Sequence, residues 1–282
     1  MELIFALILL LIIVILFLLV AFVLLSVITL PLLMKPNKKR DVEYFKRKLY
    51  AHRGLHDETI PENSLKAFEE ARKNGYGVEL DVQMTKDGKL VVFHDGNLQR
   101  MCGIDAKLKD FTYEELSKLR LKDTNEVIPL FEQVLGILGN TDLICEIKGD
   151  NGVKNYEICE KTYDMLRSYE GTYCIESFSP FLVKWFRTFH PEIIRGQLSQ
   201  KFGKEDNMKF PVRFFMNSLA VNFVSKPDFI AFRHQDVGTL GFRMVTALYD
   251  PFVVAWTARG EEEQKHAWEH FDSVIFEKGN GK

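Results

Sequence analysis

Two stretches hold most of the chain's chemistry: His52-Arg53-Gly54, and the run VELDVQMTKDGKLVVFHD from Val78 to Asp95. Glu79 and Asp81 stand two apart in an otherwise apolar strand pattern, so both side chains project from the same face. Neighbouring carboxylates repel each other unless something positive lies between them, and a hard divalent cation is the usual solution. Glu146 follows Ile144 and Cys145 in a second apolar run, and burial there would be costly without a cation or a base. Three carboxylates completed by water or substrate oxygens favour Ca²⁺ or Mg²⁺ over zinc.

His94 comes after a hairpin signal, Lys86-Asp87-Gly88-Lys89, which folds Leu90 to Phe93 back along the preceding strand. A lone histidine is more often structural, but His52 and His94 both fall at strand ends beside the carboxylates. Such a pair suits acid and base catalysis, with one neutral imidazole taking a proton and one imidazolium giving one. Arg53 and Lys148 offer fixed positive charge, either for phosphate oxygens or as counter-charges within the acidic cluster. A cation held by oxygens and flanked by two imidazoles is suited to phosphoryl hydrolysis.

These residues need a scaffold that brings strand ends together. Strand patterns occur at 48–52, 77–83, 142–147, 173–178, 193–198, 228–232, 251–257 and 272–276. Helical patterns at 64–74, 113–119, 130–138, 154–168, 180–189, 211–220 and 261–270 separate them. Asn63 or Ser64 caps the first of these helices, Gly75 stops it, and Thr112 caps the second. Alternation of this kind implies a parallel sheet, and eight units most simply close as an α/β TIM (β/α)8 barrel. An open doubly wound sheet is the alternative, but no glycine-rich phosphate loop follows the first strand. In a barrel, the ends of the first three strands converge on the C-terminal rim, where such folds place their sites.

The first 34 residues read differently. Leu3 to Met34 carries no charged side chain, and at 1.5 Å per residue it makes roughly 48 Å of helix, enough to cross a hydrocarbon core of about 30 Å. The Met1-Glu2 start, the length of the apolar run and the lack of a small-residue cleavage pattern argue for an anchor over a cleavable signal. Lys35, Lys38, Lys39, Arg40, Lys46, Arg47 and Lys48 follow, against Asp41 and Glu43. This bias places the catalytic domain in the cytoplasm and could hold anionic lipid headgroups. The expected division is a single-pass transmembrane anchor at 1–34, a basic juxtamembrane segment at 35–47 and a catalytic barrel at 48–282. Cys102, Cys145, Cys159 and Cys174 lack tight metal-ligand spacing, and two of them fall in strand patterns, as suits reduced thiols. A formal net charge of −2 gives no support to a nucleic-acid partner.

In these motifs the chain resembles the glycerophosphodiester phosphodiesterase family. The residues that carry the resemblance are His52-Arg53-Gly54, Pro61-Glu62-Asn63-Ser64 with Ala67-Phe68, Glu79-Leu80-Asp81-Val82, Asp87-Gly88, His94-Asp95 and Arg100. Further on, Ile128-Pro129, Glu146-Ile147-Lys148, Ser177-Phe178 and Trp256-Thr257 fit as well, so the match runs from about Leu49 to Glu277. The resemblance implies a TIM barrel, a divalent ion on Glu79, Asp81 and Glu146, and acid/base catalysis by His52 and His94. It also implies phosphate binding by Arg53 and Lys148, Glu62 near metal and substrate, and Trp256 lining the pocket, although Trp256 alone could equally be core packing. His56, His234 and His266 match no catalytic position and read as surface or structural.

Two departures bear on substrate fit. The last strand ends Phe276-Glu277-Lys278-Gly279 where the family commonly has Asp-x-Pro, and Met101-Cys102-Gly103 replaces a Thr-rich turn. The expected substrates are glycerophosphodiesters or lysophospholipids met at the bilayer, with an alcohol and glycerol 3-phosphate as products. A lysophospholipase D, a phospholipase forming a cyclic phosphate, or a non-catalytic membrane-tethered binding protein are the alternatives. The sequence does not specify an oligomeric state.

Overall fold

The structure, a computed structural model, describes residues 1–37, 41–149 and 156–279. Among the described residues there are nine strands: β1 (Leu49–His52), β2 (Gly77–Met84), β3 (Leu90–Val92), β4 (Leu143–Ile147), β5 (Tyr173–Ser177), β6 (Arg195–Ser199), β7 (Phe229–Arg233), β8 (Phe252–Arg259) and β9 (Ser273–Glu277). The helices are α1 (Glu2–Met34), α2 (Leu65–Lys73), α3 (Gln99–Cys102), α4 (Tyr113–Leu116), α5 (Phe131–Leu138), α6 (Glu157–Leu166), α7 (Pro180–Phe189), α8 (Phe210–Asn217), α9 (Asn222–Ser225), α10 (Leu240–Tyr249) and α11 (Gly260–Trp268).

All strands but β3 are parallel, and β1 pairs with both β2 and β9, which closes the sheet into an eight-stranded barrel. β3 runs antiparallel to β2 through the expected hairpin, with the Thr85 N–H on the Lys89 carbonyl. This is the TIM architecture read from the alternation of elements.

Strand alternation divides the apolar residues into two cores. Tyr50, Ile144, Cys174, Phe229, Val254 and Ile275 pack together inside the barrel. Ala51, Val78, Leu80, Cys145, Ile175, Ile230 and Val253 belong to the cluster between sheet and helices. Gly77 is required where it faces Tyr50, since a Cβ there would lie 2.6 Å from the ring. The segment from β3 to α5 forms a third cluster around Phe93, Leu98, Met101, Leu108 and Leu116, which buttresses the loop carrying His94.

Ser64 is the cap of α2, its hydroxyl accepting from the Ala67 N–H, and Thr112 with Glu115 forms a capping box on α4. The helix expected at 113–119 ends at Leu116, and the one expected around 211–220 is α8, which ends at Asn217, with the short α9 following separately. The start of the helix expected from Lys154 lies outside the described residues. No sequence signal had marked α10. Its Gly241 and β-branched Val245 and Thr246 weaken intrinsic propensity, and the burial of Phe242 and Val245 against the barrel decides its conformation. All four cysteines are free.

α1 is one continuous helix of 33 residues whose most apolar 18-residue stretch has mean hydropathy 3.8 and is not buried at all, long and apolar enough to cross a membrane. Lys38, Lys39 and Arg40 of the basic segment lie outside the described residues.

Candidate active site

The site starts where β1 ends. His52 is the last residue of the strand, and Arg53 follows in the left-handed region at φ 55°, an uncommon state for a residue with a side chain. Gly54, at φ 80°, then passes so close to α2 that a Cβ would lie 2.7 Å from the Ala67 backbone. This sharp turn sends the Arg53 guanidinium back over the rim. Nη1 donates to Glu62 Oε1 at 2.6 Å, Nε lies 3.3 Å from Asp81 Oδ2, and the backbone N–H donates to Glu79 Oε2 at 3.1 Å.

Glu79 and Asp81 project inward from β2 as the two-residue spacing predicts, and strand register sets Glu146 of β4 directly beside Asp81. One carboxylate oxygen from each of the three lies within 4.8 Å of the others, and all three residues are buried. Glu176 of β5 is the next residue around the barrel, beside Glu146, and it too is buried. Burial, reinforced by Asp81, Glu146 and Glu176, raises the Glu79 carboxyl well above its ordinary range. Burial and nearby carboxylates likewise raise Glu176. Asp81 goes the other way: against its burial, Lys148, Arg53 and His94 hold it well below. Four buried carboxylates thus share two main cations, with Lys148 Nζ 2.8 Å from Asp81 Oδ1 and 2.7 Å from Glu146 Oε2. This excess of buried negative charge on oxygen donors fits a hard divalent cation, and the Glu79, Asp81 and Glu146 triad could hold one.

Each of the two histidines is oriented by a carboxylate at Nδ1. His52 Nδ1 is 2.6 Å from Glu277 Oε1 on β9, and Arg259 Nε holds the other oxygen of Glu277 at 2.8 Å. Although burial opposes it, these partners pull Glu277 down to about 2, so its carboxylate accepts and His52 Nδ1–H donates. Burial outweighs Glu277 at the imidazole and pushes His52 down to about 4. The neutral ring therefore turns an unprotonated Nε2 toward the carboxylates, 3.9 Å from Glu79 Oε2.

His94 Nδ1 is 2.7 Å from Asp95 Oδ1, and Arg100 Nε sits 2.7 Å from Asp95 Oδ2. Arg100 also forks onto both oxygens of Glu62 at 2.7 Å, and His94, Asp95 and Arg100 border an open cavity of about 550 Å³. Burial works against the charge on Glu62, but Arg100 and Arg53 together hold it at about 2. On the far side, Trp256 of β8 is half-buried, its ring 5.6 Å from Phe178 and edge-on to it.

The structure thus places His52, Arg53, Glu62, Glu79, Asp81, Glu146 and Lys148 in one network of contacts. His94 joins it through Asp95 and Arg100, and Trp256 forms part of an aromatic wall. The sequence assigns no part in the site to Glu277, Asp95, Asn63 or Glu176, although Asn63 is a candidate helix cap and Asp95 lies in a matching motif. Asn63 Nδ2 donates to Asp81 Oδ2 at 2.8 Å. Asp95 and Asn63 could have been found from the polar residues flanking His94 and Ser64. Glu277 could have been found only by recognising that a closed barrel makes its first and last strands neighbours. His56 lies 3.9 Å from Glu277 at the edge of the site, and His234 is buried with Nε2 3.1 Å from Glu263.

The closed parallel barrel, with buried carboxylates and two carboxylate-oriented histidines on its rim, defines an α/β-barrel protein of the TIM type with a candidate site at the C-terminal ends of its strands. The chain belongs to the glycerophosphoryl diester phosphodiesterase family, whose model matches residues 52–269. A glycerophosphodiester phosphodiesterase of Caldanaerobacter subterraneus is 36% identical over 160 residues, 53% of this chain and 65% of that protein. A human lysophospholipase D is 32% identical over 156 residues, 51% of this chain and 47% of its own length. The aligned regions thus span about half to two thirds of these curated relatives. Among solved structures, an Oleispira antarctica phosphodiesterase in complex with the product sn-glycerol-3-phosphate superposes with a TM-score of 0.67 at 21% identity, covering 83% of this chain and 94% of the other.

Proposed function

We propose that the chain is a membrane-anchored, metal-dependent phosphodiesterase that hydrolyses glycerophosphodiesters to an alcohol and glycerol 3-phosphate. The observation that carries this reading is the pair of histidines on the rim, each oriented at Nδ1 by a carboxylate, beside a buried carboxylate triad. His52 Nε2 takes a proton from the attacking water as its oxygen bonds to phosphorus, and His94 gives a proton to the departing alkoxide as its P–O bond breaks; where the substrate's neighbouring hydroxyl attacks first, water then opens the cyclic phosphate by the same two transfers. Arg53 and Lys148 draw the non-bridging phosphate oxygens toward the carboxylate cluster, and the Arg53–Glu62–Arg100 chain fixes the guanidinium in place. Glu79, Asp81 and Glu146 would hold a divalent ion, Ca²⁺ or Mg²⁺ by the hardness of their oxygens, which would supply Lewis-acid polarisation of the phosphoryl group. Trp256 and Phe178 line the alcohol side of the pocket.

Support for the substrate comes from the family and from the product bound in the Oleispira structure. The human relative's name favours a second reading, lysophospholipase D activity on the same machinery. In the proposed layout, residues 1–34 cross the membrane once, 35–47 form the basic flank, and 48–282 form the barrel. Lys35, Lys46, Arg47 and Lys48 favour the cytoplasmic side.

The test is hydrolysis of glycerophosphocholine and of a lysophospholipid by the full chain in lipid nanodiscs, with Ca²⁺, Mg²⁺ or EDTA. Metal-dependent release of glycerol phosphate, lost in His52→Ala and Glu79→Ala, is the expected result. Release of lysophosphatidate from the lysolipid, with glycerophosphocholine left intact, would shift the reading to the lysophospholipase D. No hydrolysis of either diester by folded, metal-loaded protein would refute both.

A further inference from the structure

The apolar helix α1 is fastened to the barrel by its last turns. Met34 is fully buried and its carbonyl accepts from Asn222 Nδ2 at 2.8 Å, while the Pro31 carbonyl accepts from the Tyr249 hydroxyl at 2.7 Å. Asn37 donates its N–H to the Pro227 carbonyl at 2.8 Å, at the lower end of the barrel where the chain enters β7. Leu30, higher on α1, shares a cavity of about 540 Å³ with Gly238, Thr239 and Leu240, where the chain has left β7 at the rim. Traced back from Asn37, α1 therefore climbs the flank of the barrel from its lower end toward its rim.

In that same sector the rim is apolar on its outside. Phe210 and Leu240 are 70% and 73% exposed, and Phe214 and Phe215 nearly half, a patch that water alone does not favour. Phe214 lines the cavity beside Leu30 and Met34, so the patch continues the surface of α1. Lys209 and Arg213 lie on or beside the same short helix, and Lys201 borders the cavity, a basic and aromatic composition suited to anionic headgroups over acyl chains. The inner side of α8 packs Met216 with Phe202 against Phe178, the ring beside Trp256 in the site.

We propose that α8 and Leu240 rest in the interfacial layer of the bilayer that α1 crosses, an anionic lipid surface being the partner, so that the mouth of the barrel faces the membrane. This rests on the reading of α1 as a transmembrane anchor and is independent of the reaction. A diester whose tail stays in the leaflet then meets the rim without leaving the lipid.

The test uses the full chain in phosphatidylcholine–phosphatidylglycerol vesicles containing lipids brominated on the acyl chain near the headgroup or near the bilayer centre. Tryptophan emission is compared for the parent chain and for Phe214→Trp, Phe189→Trp and Phe17→Trp. Phe189, 61% exposed at the end of α7, marks the lower end of the barrel, and Phe17 marks the middle of α1. The expected result is that the emission added at 214 is quenched by shallow bromines and blue-shifted, that added at 17 is quenched by deep bromines, and that added at 189 is untouched. Quenching at 17 without quenching at 214 overturns the proposal, as does equal or greater quenching at 189. Absence of quenching at 17 removes the anchor and the proposal together. None of these outcomes depends on turnover, so a failure of the phosphodiesterase reading shows separately in the hydrolysis assay.

Discussion

Within the barrel, two layers on the same strands have opposite chemistry. Tyr50, Ile144, Cys174, Val254 and Ile275 fill the lower layer, and two residues further along their strands stand His52, Glu146, Glu176, Trp256 and Glu277. At about 3.3 Å per residue, some 6–7 Å separates a packed apolar plug from a crowd of ionisable groups. The lower layer is buried, and in the upper one Glu146 and Glu176 are buried while His52, Trp256 and Glu277 are half-buried. The lower one gains free energy from burial, and the upper one loses it wherever a carboxylate lacks a partner. The barrel thus holds its charges in place with packing located elsewhere, and the two layers should respond to substitution in opposite ways.

The sharpest break is His52→Ala. It should lower kcat by about 10²- to 10⁴-fold, while the unfolding midpoint moves less than in any truncation of the lower layer. Steady-state kinetics and thermal melts on one preparation check this. Phe229→Ala should do the reverse. Its ring is fully buried and packs over Gly196, so truncation should cost about 3–5 kcal/mol in denaturant titrations while the folded fraction keeps its turnover. Glu79→Gln separates charge from shape. In EDTA the variant should be more stable than the parent, because the cost of burying the Glu79 charge, and then its repulsion from Asp81, Glu146 and Glu176, is removed. Divalent ion should then add nothing to its stability, whereas the parent gains about 2.7 kcal/mol at a hundredfold excess over Kd. Melts with and without Ca²⁺ or Mg²⁺ decide it.

The smallest effect is a pH dependence at the edge of the upper layer. Glu62 falls from an ordinary value of 4.5 to about 2, so its contribution is complete above the unfolded value and drains away as pH falls toward the folded one. That contribution is at most about 3 kcal/mol, of which about 1 kcal/mol should vanish between about pH 5 and pH 3.5. Glu62→Gln should flatten this part of the stability profile, and urea unfolding across that window would show whether it does.

The two layers also differed in how far the sequence revealed them. Glu79, Asp81 and Glu146 were legible because charges in an apolar strand contradict their surroundings, and period-two alternation states which face they share. His52, Arg53 and Lys148 followed from their places at strand ends. Glu277 and Glu176 were not legible, because their importance lies in pairing with strands distant in the chain, which register settles and local pattern does not. α10 escaped for a related reason, since packing against the barrel outweighs a weak intrinsic propensity. The aromatic face of α8 was visible only as composition, and its meaning depends on where α1 is fastened.

The bond between His52 and Glu277 spans 225 residues and joins the first strand of the barrel to the last. A ribosome adds residues one at a time, and domains assemble from the N-terminal side as they emerge. β1 therefore waits, with one edge open, for nearly the whole of the domain to be made. During that interval the imidazole has no carboxylate to fix its tautomer. The site is thus incomplete through the synthesis of the chain, and a chain stalled before residue 277 would carry its carboxylate triad without an oriented His52.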